Sequence, residues 1–202
     1  MPCLDLVVTV DTAAPGKRLR DLRNGLRLPY RPSLSNIVEA VRHPVWTARR
    51  IAAGPVAFPN LAAPDSSGAS LSHHELMAWQ TGGTLDWPTL DQLRRRWPRA
   101  MLLKGVLSVQ DAHIAAKLGM DGVIVSNHGG RQLECAVAPA AVLPAFAAQG
   151  FGPEFLLMDS GLRSAEDILK ALALGVGFTF LGRPFLFALA AAGEPGVRRL
   201  LD

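Results

Sequence analysis

The stretch Val123-Ile124-Val125-Ser126-Asn127-His128-Gly129-Gly130-Arg131-Gln132-Leu133-Glu134 decides the fold. Three β-branched apolar residues run into a polar loop that holds a histidine and an arginine three positions apart. Branched side chains favour extended backbone, and an unbroken apolar run suits a strand buried on both faces of a parallel sheet. An abrupt stop at such a loop is how a parallel α/β barrel presents chemical groups, at the C-terminal ends of its strands.

The same rhythm repeats on either side. Leu4–Thr9, Met101–Val106, Gly122–Ser126, Phe155–Asp159 and Phe178–Gly182 read as buried parallel strands. Helical periodicity fills Val109–Leu118, Pro139–Gln149 and Ala165–Leu174, each closing near a glycine, at Gly119, Gly150 and Gly175. Ser108 and Ser164 stand at N-cap positions, the second with Asp167 three residues on. Asp86-Trp87-Pro88-Thr89 opens a further helix, Leu90–Arg96, and Leu186–Ala192 closes the pattern. Strand followed by helix is the βα alternation of a parallel sheet, here matching a barrel.

From about Leu28 to Gly83 the rhythm fails. This region is rich in Pro, Ser, Gly and Arg, with one amphipathic piece, Ser35–Ile51, that carries Ile37, Val38, Val41, Val45 and Trp46. A connection of this length is usually functional or disordered.

With 202 residues and 49% apolar content, the chain can bury a sizeable core as one domain. It contains no run of eighteen apolar residues, and Met1-Pro2-Cys3-Leu4-Asp5 lacks the basic start of a signal peptide. A net charge of +4 admits anionic partners. The arginines are scattered, and Arg94-Arg95-Arg96 reads as a solvated helix face, so nucleic acid is not expected. Cys3 and Cys135 read as reduced thiols. Together with His73-His74 they show no zinc-ligand spacing, and no metal is assigned. Neither a Rossmann glycine fingerprint nor a Walker loop is present.

Several residues invite chemistry. Lys104, embedded in the apolar strand Met101–Val106, is costly unless its ammonium meets an anion or snorkels to the sheet end. His128 sits at a strand end beside two glycines, which allow close backbone approach. Asp159-Ser160-Gly161-Leu162-Arg163 and Gly182-Arg183-Pro184 follow the last two strands, where barrels often grip phosphate with backbone N–H groups. Asp11 and Arg18 read on their own as a turn residue and a surface charge.

The 123–134 string closely resembles the active-site signature of the FMN-dependent 2-hydroxy-acid dehydrogenases and oxidases, a family that includes glycolate oxidase, L-lactate dehydrogenase and mandelate dehydrogenase. The resemblance covers nearly the whole chain and is strongest over residues 4–25 and 101–199. It implies FMN as cofactor and oxidation of an (S)-2-hydroxy acid to the 2-oxo acid. Thr9, Lys104, Ser126, Asp159, Ser160, Gly161, Leu162, Arg163, Gly182 and Arg183 match the flavin site, with Lys104 near the flavin N1 and C2 carbonyl. His128 matches the general base, Asp11 its carboxylate partner, and Arg18 and Arg131 the substrate-carboxylate clamp. Ser160 with Gly130 leans toward the lactate and mandelate dehydrogenase branch.

The resemblance further implies a (β/α)8 TIM barrel of class α/β, of which only strands four to eight have counterparts here. Residues 1–202 are therefore expected to form a partial barrel with a loop insertion at about 28–83, as the C-terminal part of a longer enzyme cut short at Met1. The isolated chain is expected to bind FMN poorly and to turn over little. The expected partners are the hydroxy acid and an electron acceptor (quinone, cytochrome or oxygen), with the full enzyme a homo-oligomer. The expected location is cytoplasmic, with a peripheral contact of the 30–70 loop at the inner face of the plasma membrane. The alternatives are a non-catalytic half-barrel that assembles with another chain, and a different FMN barrel such as a type 2 isopentenyl-diphosphate isomerase.

Overall fold

A computed structural model of the chain describes residues 5–13, 16, 19–25, 33–54 and 85–202. Cys3, Leu4, Arg18 and His73-His74 lie outside the described residues. The chain divides into two compact units, residues 1–17 with 84–202, and residues 18–83.

The first unit holds five strands among its described residues: β1 (Leu6–Thr9), β2 (Met101–Val106), β3 (Gly122–Val125), β4 (Leu156–Met158) and β5 (Phe178–Thr179). They lie in chain order, every neighbouring pair parallel. Parallel neighbours need a crossover, and helices supply it. These are α4 (Trp87–Arg96), α5 (Val109–Lys117), α6 (Pro139–Ala148), α7 (Ala165–Ala173) and α8 (Arg183–Leu201). The second unit contributes α1 (Leu19–Arg23), α2 (Leu34–Arg42) and α3 (Pro44–Ala52). Five consecutive parallel strands with crossover helices make an α/β partial barrel.

Register explains the two faces of the sheet. Val8, Leu103, Val123 and Leu156 are paired across four strands, and the last three are fully buried beneath Ala112, Ala115, Leu143 and Phe146 of the helices. Thr9, Lys104, Ile124 and Leu157 are the next row and occupy the opposite face. One step beyond the strands, Ser126 and Asp159 fall on that second face, following the core residues Val125 and Met158. The strand period therefore separates core from chemistry.

The strands and helices are slightly shorter than periodicity suggests, since turns and caps occupy their ends. Ser108 and Ser164 cap α5 and α7, accepting from the amides of Asp111 and Asp167, and Asp167 completes a capping box. Two elements differ in kind. The single amphipathic piece at 35–51 is two helices, because Pro44 cannot continue α2 and instead starts α3 after His43. The closing helix begins at Arg183 and runs past Ala192 to Leu201, with a break at Ala192 and Gly193.

Candidate active site

The loop after β3 is held from both sides. Asn127 accepts at its side-chain oxygen from the Gly130 amide, and Arg183 donates to the Gly129 carbonyl at 3.0 Å. Gly129 adopts φ 65°, which its lack of a side chain permits. His128 and Ser160 take positive φ too, at 56° and 73°. Such backbone costs a side-chain-bearing residue on the order of 1–2 kcal/mol and persists where surrounding bonds over-determine it.

Those bonds centre on two hydroxyls. Ser126, fully buried, accepts from the His128 amide at 3.0 Å and from the Lys104 ammonium at 3.2 Å. Ser160 accepts from the Gly129 amide at 2.8 Å and donates to Asp159 Oδ1 at 2.7 Å. Lys104 Nζ completes the cluster 3.0 Å from Asp159 Oδ2, with the two side chains 22% and 17% exposed. Burial alone would raise the Asp159 carboxyl. Hydrogen bonds from Ser126, Ser160 and Lys104, with the ammonium charge, outweigh it and hold the group below the ordinary carboxylate range.

The histidine is paired as well. His128 Nδ1 lies 3.1 Å from Asp11 Oδ1, bridging the ends of β3 and β1. A carboxylate only accepts, so Nδ1 carries the proton of the pair and Nε2 of the neutral ring keeps its lone pair. Asp11 Oδ2 is buried without a hydrogen-bond partner.

A cleft of about 320 Å³ gathers Lys104, His128, Arg131, Asp159, Ser160, Gly161, Leu162, Arg163, Gly182 and Arg183 in its walls. Asp11 and Ser126 reach it through His128 and Lys104, and Thr9 lies in register beside Lys104. Arg18 lies outside the described residues. Phe180, Leu181, Pro184 and Leu186 also line the cleft. Phe180 and Leu181 belong to the expected last strand, Pro184 to the Gly182-Arg183-Pro184 motif and Leu186 to the expected closing helix, but none of the four was assigned to the site.

The basic end of the cleft suits a phosphate. A Cβ added to Gly161 or Gly182 would meet nothing within 4 Å, so both backbones face open space. α8 starts there without a side-chain cap, leaving amide donors for an anion, and Arg163 and Arg183 add charge. The residues present thus fit the phosphate of FMN. Among the described residues, no cluster of potential ligands for a metal ion occurs.

The family model for FMN-dependent dehydrogenases matches residues 2–202. (S)-Mandelate dehydrogenase of Pseudomonas putida is 41% identical over 196 residues, covering 97% of this chain and 49% of that protein. L-Lactate dehydrogenase of Pseudomonas aeruginosa (strain LESB58) is 39% identical over 201 residues, covering 98% and 52%. Among solved structures, the monotopic membrane protein (S)-mandelate dehydrogenase superposes with a TM-score of 0.85 at 40% identity, covering 98% of this chain and 52% of that one. Mandelate oxidase with (S)-2-phenylpropionate gives 0.69 at 34% identity, covering 99% and 47%. The chain spans about half the length of the curated relatives it matches.

Proposed function

Because the chain belongs to the FMN-dependent dehydrogenase family, we propose that it carries the base and flavin-binding loops of an enzyme oxidising an (S)-2-hydroxy acid, such as L-lactate or mandelate, to the 2-oxo acid. The observation that carries this reading is the 3.1 Å Asp11–His128 pair on a cleft shared with Lys104 and Arg131. Asp11 fixes the imidazole with Nε2 free to take a proton from the substrate. Arg131 offers a guanidinium fork to the substrate carboxylate. FMN, when bound, supplies the acceptor for the two electrons that leave the α-carbon. Lys104 would hold it beside Thr9, Ser126 and Ser160 and set a positive charge where negative charge develops. Gly161, Arg163, Gly182 and Arg183 would hold its phosphate.

Flavin titration by fluorescence, then dye-linked turnover of L-lactate and (S)-mandelate against their (R) enantiomers, tests the proposal on this chain joined to the remaining half of a full-length relative, because the 202 residues span about half of such an enzyme. Flavin capture with (S)-selective turnover supports it. Capture without turnover of any 2-hydroxy acid favours a different FMN barrel, and neither capture nor turnover favours a non-catalytic half-barrel.

A second reading concerns the other unit and rests on its exposed apolar surface. On α2 and α3, Leu34, Val41, Trp46 and Ile51 are 83%, 74%, 64% and 75% exposed, interleaved with Arg42, Arg49 and Arg50. Such a surface suits the interface of an anionic bilayer, where apolar side chains enter and guanidinium groups meet headgroups. No helix among the described residues is long and apolar enough to cross a membrane, so this contact is peripheral. Co-sedimentation with vesicles containing phosphatidylglycerol should fall on Trp46→Ser with Ile51→Ser. Partitioning unchanged by that pair, or by deletion of residues 30–70, would rule it out.

A further inference from the structure

We infer that Gly105 is a positioning residue, keeping open the space that the Asp11 carboxylate needs to meet His128. The inference rests on the base-pair reading above and adds a residue to it. The ladder between β2 and β3 pairs Lys104 with Ile124 and Val106 with Val125, so Gly105 is a bulge that the pairing skips. Its φ of +105° is one that residues with side chains rarely adopt.

The bulge has two consequences. It resets the strand phase by one residue after Lys104, so Val106, which strict alternation would send to the cleft face, returns to the core with Met101 and Leu103. It also lets β1 close in. The Val10 amide bonds the Lys104 carbonyl at 2.9 Å, which brings the next residue, Asp11, across Gly105. A Cβ at Gly105 would stand 2.6 Å from Asp11 Cγ, 2.7 Å from its Cβ and 2.9 Å from Oδ1. Oδ1 is the atom that meets His128 Nδ1. Asp11 has little room to retreat, because its other oxygen is already buried. A methyl group at position 105 therefore moves the carboxylate that sets the histidine tautomer, without touching the histidine itself.

Imidazole ¹⁵N shifts report the tautomer directly and need neither flavin nor turnover. They would be recorded for the full chain as wild type, Asp11→Ala, Gly105→Ala and the Asp11→Ala/Gly105→Ala double variant. The Nδ1–H preference of His128 should be lost in Asp11→Ala and equally in Gly105→Ala, and the double variant should match Asp11→Ala. Gly105→Ala that folds and keeps the wild-type tautomer overturns the inference while leaving the Asp11–His128 pair intact. A wild-type tautomer in Asp11→Ala instead removes the pair and the reading built on it. Should Gly105→Ala fail to fold, folding of the double variant supports the collision. Failure of both shows that position 105 needs glycine for its backbone alone, and overturns the inference.

Discussion

The Lys104 ammonium lies 3.0 Å from Asp159 Oδ2 and 3.2 Å from Ser126 Oγ, so one cation ties together the ends of three neighbouring strands. Asp159 is held below its ordinary range, so its folded form binds its proton less readily than the unfolded chain does. The stabilisation is therefore complete above the ordinary carboxylate range and is lost as pH falls through that range to the depressed folded value. Lys104→Met should cost about 1–3 kcal/mol at neutral pH, because it leaves a mostly buried carboxylate without its counter-charge. Urea denaturation across pH should show the gap to wild type closing in acid. A gap that is constant with pH would mean that Asp159 does not sense Lys104.

Asp11→Asn keeps the shape of the carboxylate but turns an acceptor pair into a donor and an acceptor, so His128 loses its fixed tautomer. In the flavin-loaded enzyme, kcat with the (S)-hydroxy acid should fall about 10²–10⁴-fold, the range typical of general-base catalysis. His128→Gln should fall at least as far. Steady-state kinetics check both: equal kcat in Asp11→Asn and wild type would remove the orienting role of Asp11, and equal kcat in His128→Gln would assign the base elsewhere.

Much of this arrangement was legible from residue order alone. Val123–Val125 and Met101–Val106 announced strands because branched and apolar residues ran unbroken into polar loops, and the structure places both in one parallel sheet. His128, Asp159 and Arg183 were marked by their position in the loops after strands, whereas Lys104, inside its strand, was drawn to the same cleft only by the family resemblance. Gly105 was illegible as a bulge, since a glycine inside an apolar strand reads the same whether paired or skipped. The break between α2 and α3 was signalled by Pro44, but the amphipathic period runs across it and masked the turn. Phe180 stood inside the expected buried strand Phe178–Gly182, and Leu186 opened the expected closing helix. They stay exposed where β5, among the described residues, pairs only with β4.

The core prediction is sharper. Phe146 of α6 is fully buried and has its ring centroid 6.1 Å from that of Phe151, which stacks on Phe155 at 5.2 Å. Phe146→Ala should destabilise the fold by about 3–5 kcal/mol through lost burial and the cavity left behind. Denaturation midpoints measure this, and a loss below about 1 kcal/mol would mean that neighbouring side chains collapse into the space.

Arg183 acts at two places at once. Its guanidinium donates to the Gly129 carbonyl, steadying the turn that carries His128, while its backbone opens α8 at the basic end of the cleft. Replacing it should therefore affect both cofactor and base. Arg183→Met should weaken FMN binding roughly tenfold, about 1.4 kcal/mol for one charge-assisted contact. Arg183→Lys should restore the charge but not the bond geometry to Gly129, since an ammonium lacks the planar fork. Flavin titration at low and high salt separates the two effects. The loss in Arg183→Met should shrink as salt screens the phosphate, whereas the fall in kcat of Arg183→Lys should persist at every ionic strength. If Arg183→Lys matched wild type in both affinity and kcat, the Gly129 contact would be incidental and the arginine would serve by charge alone.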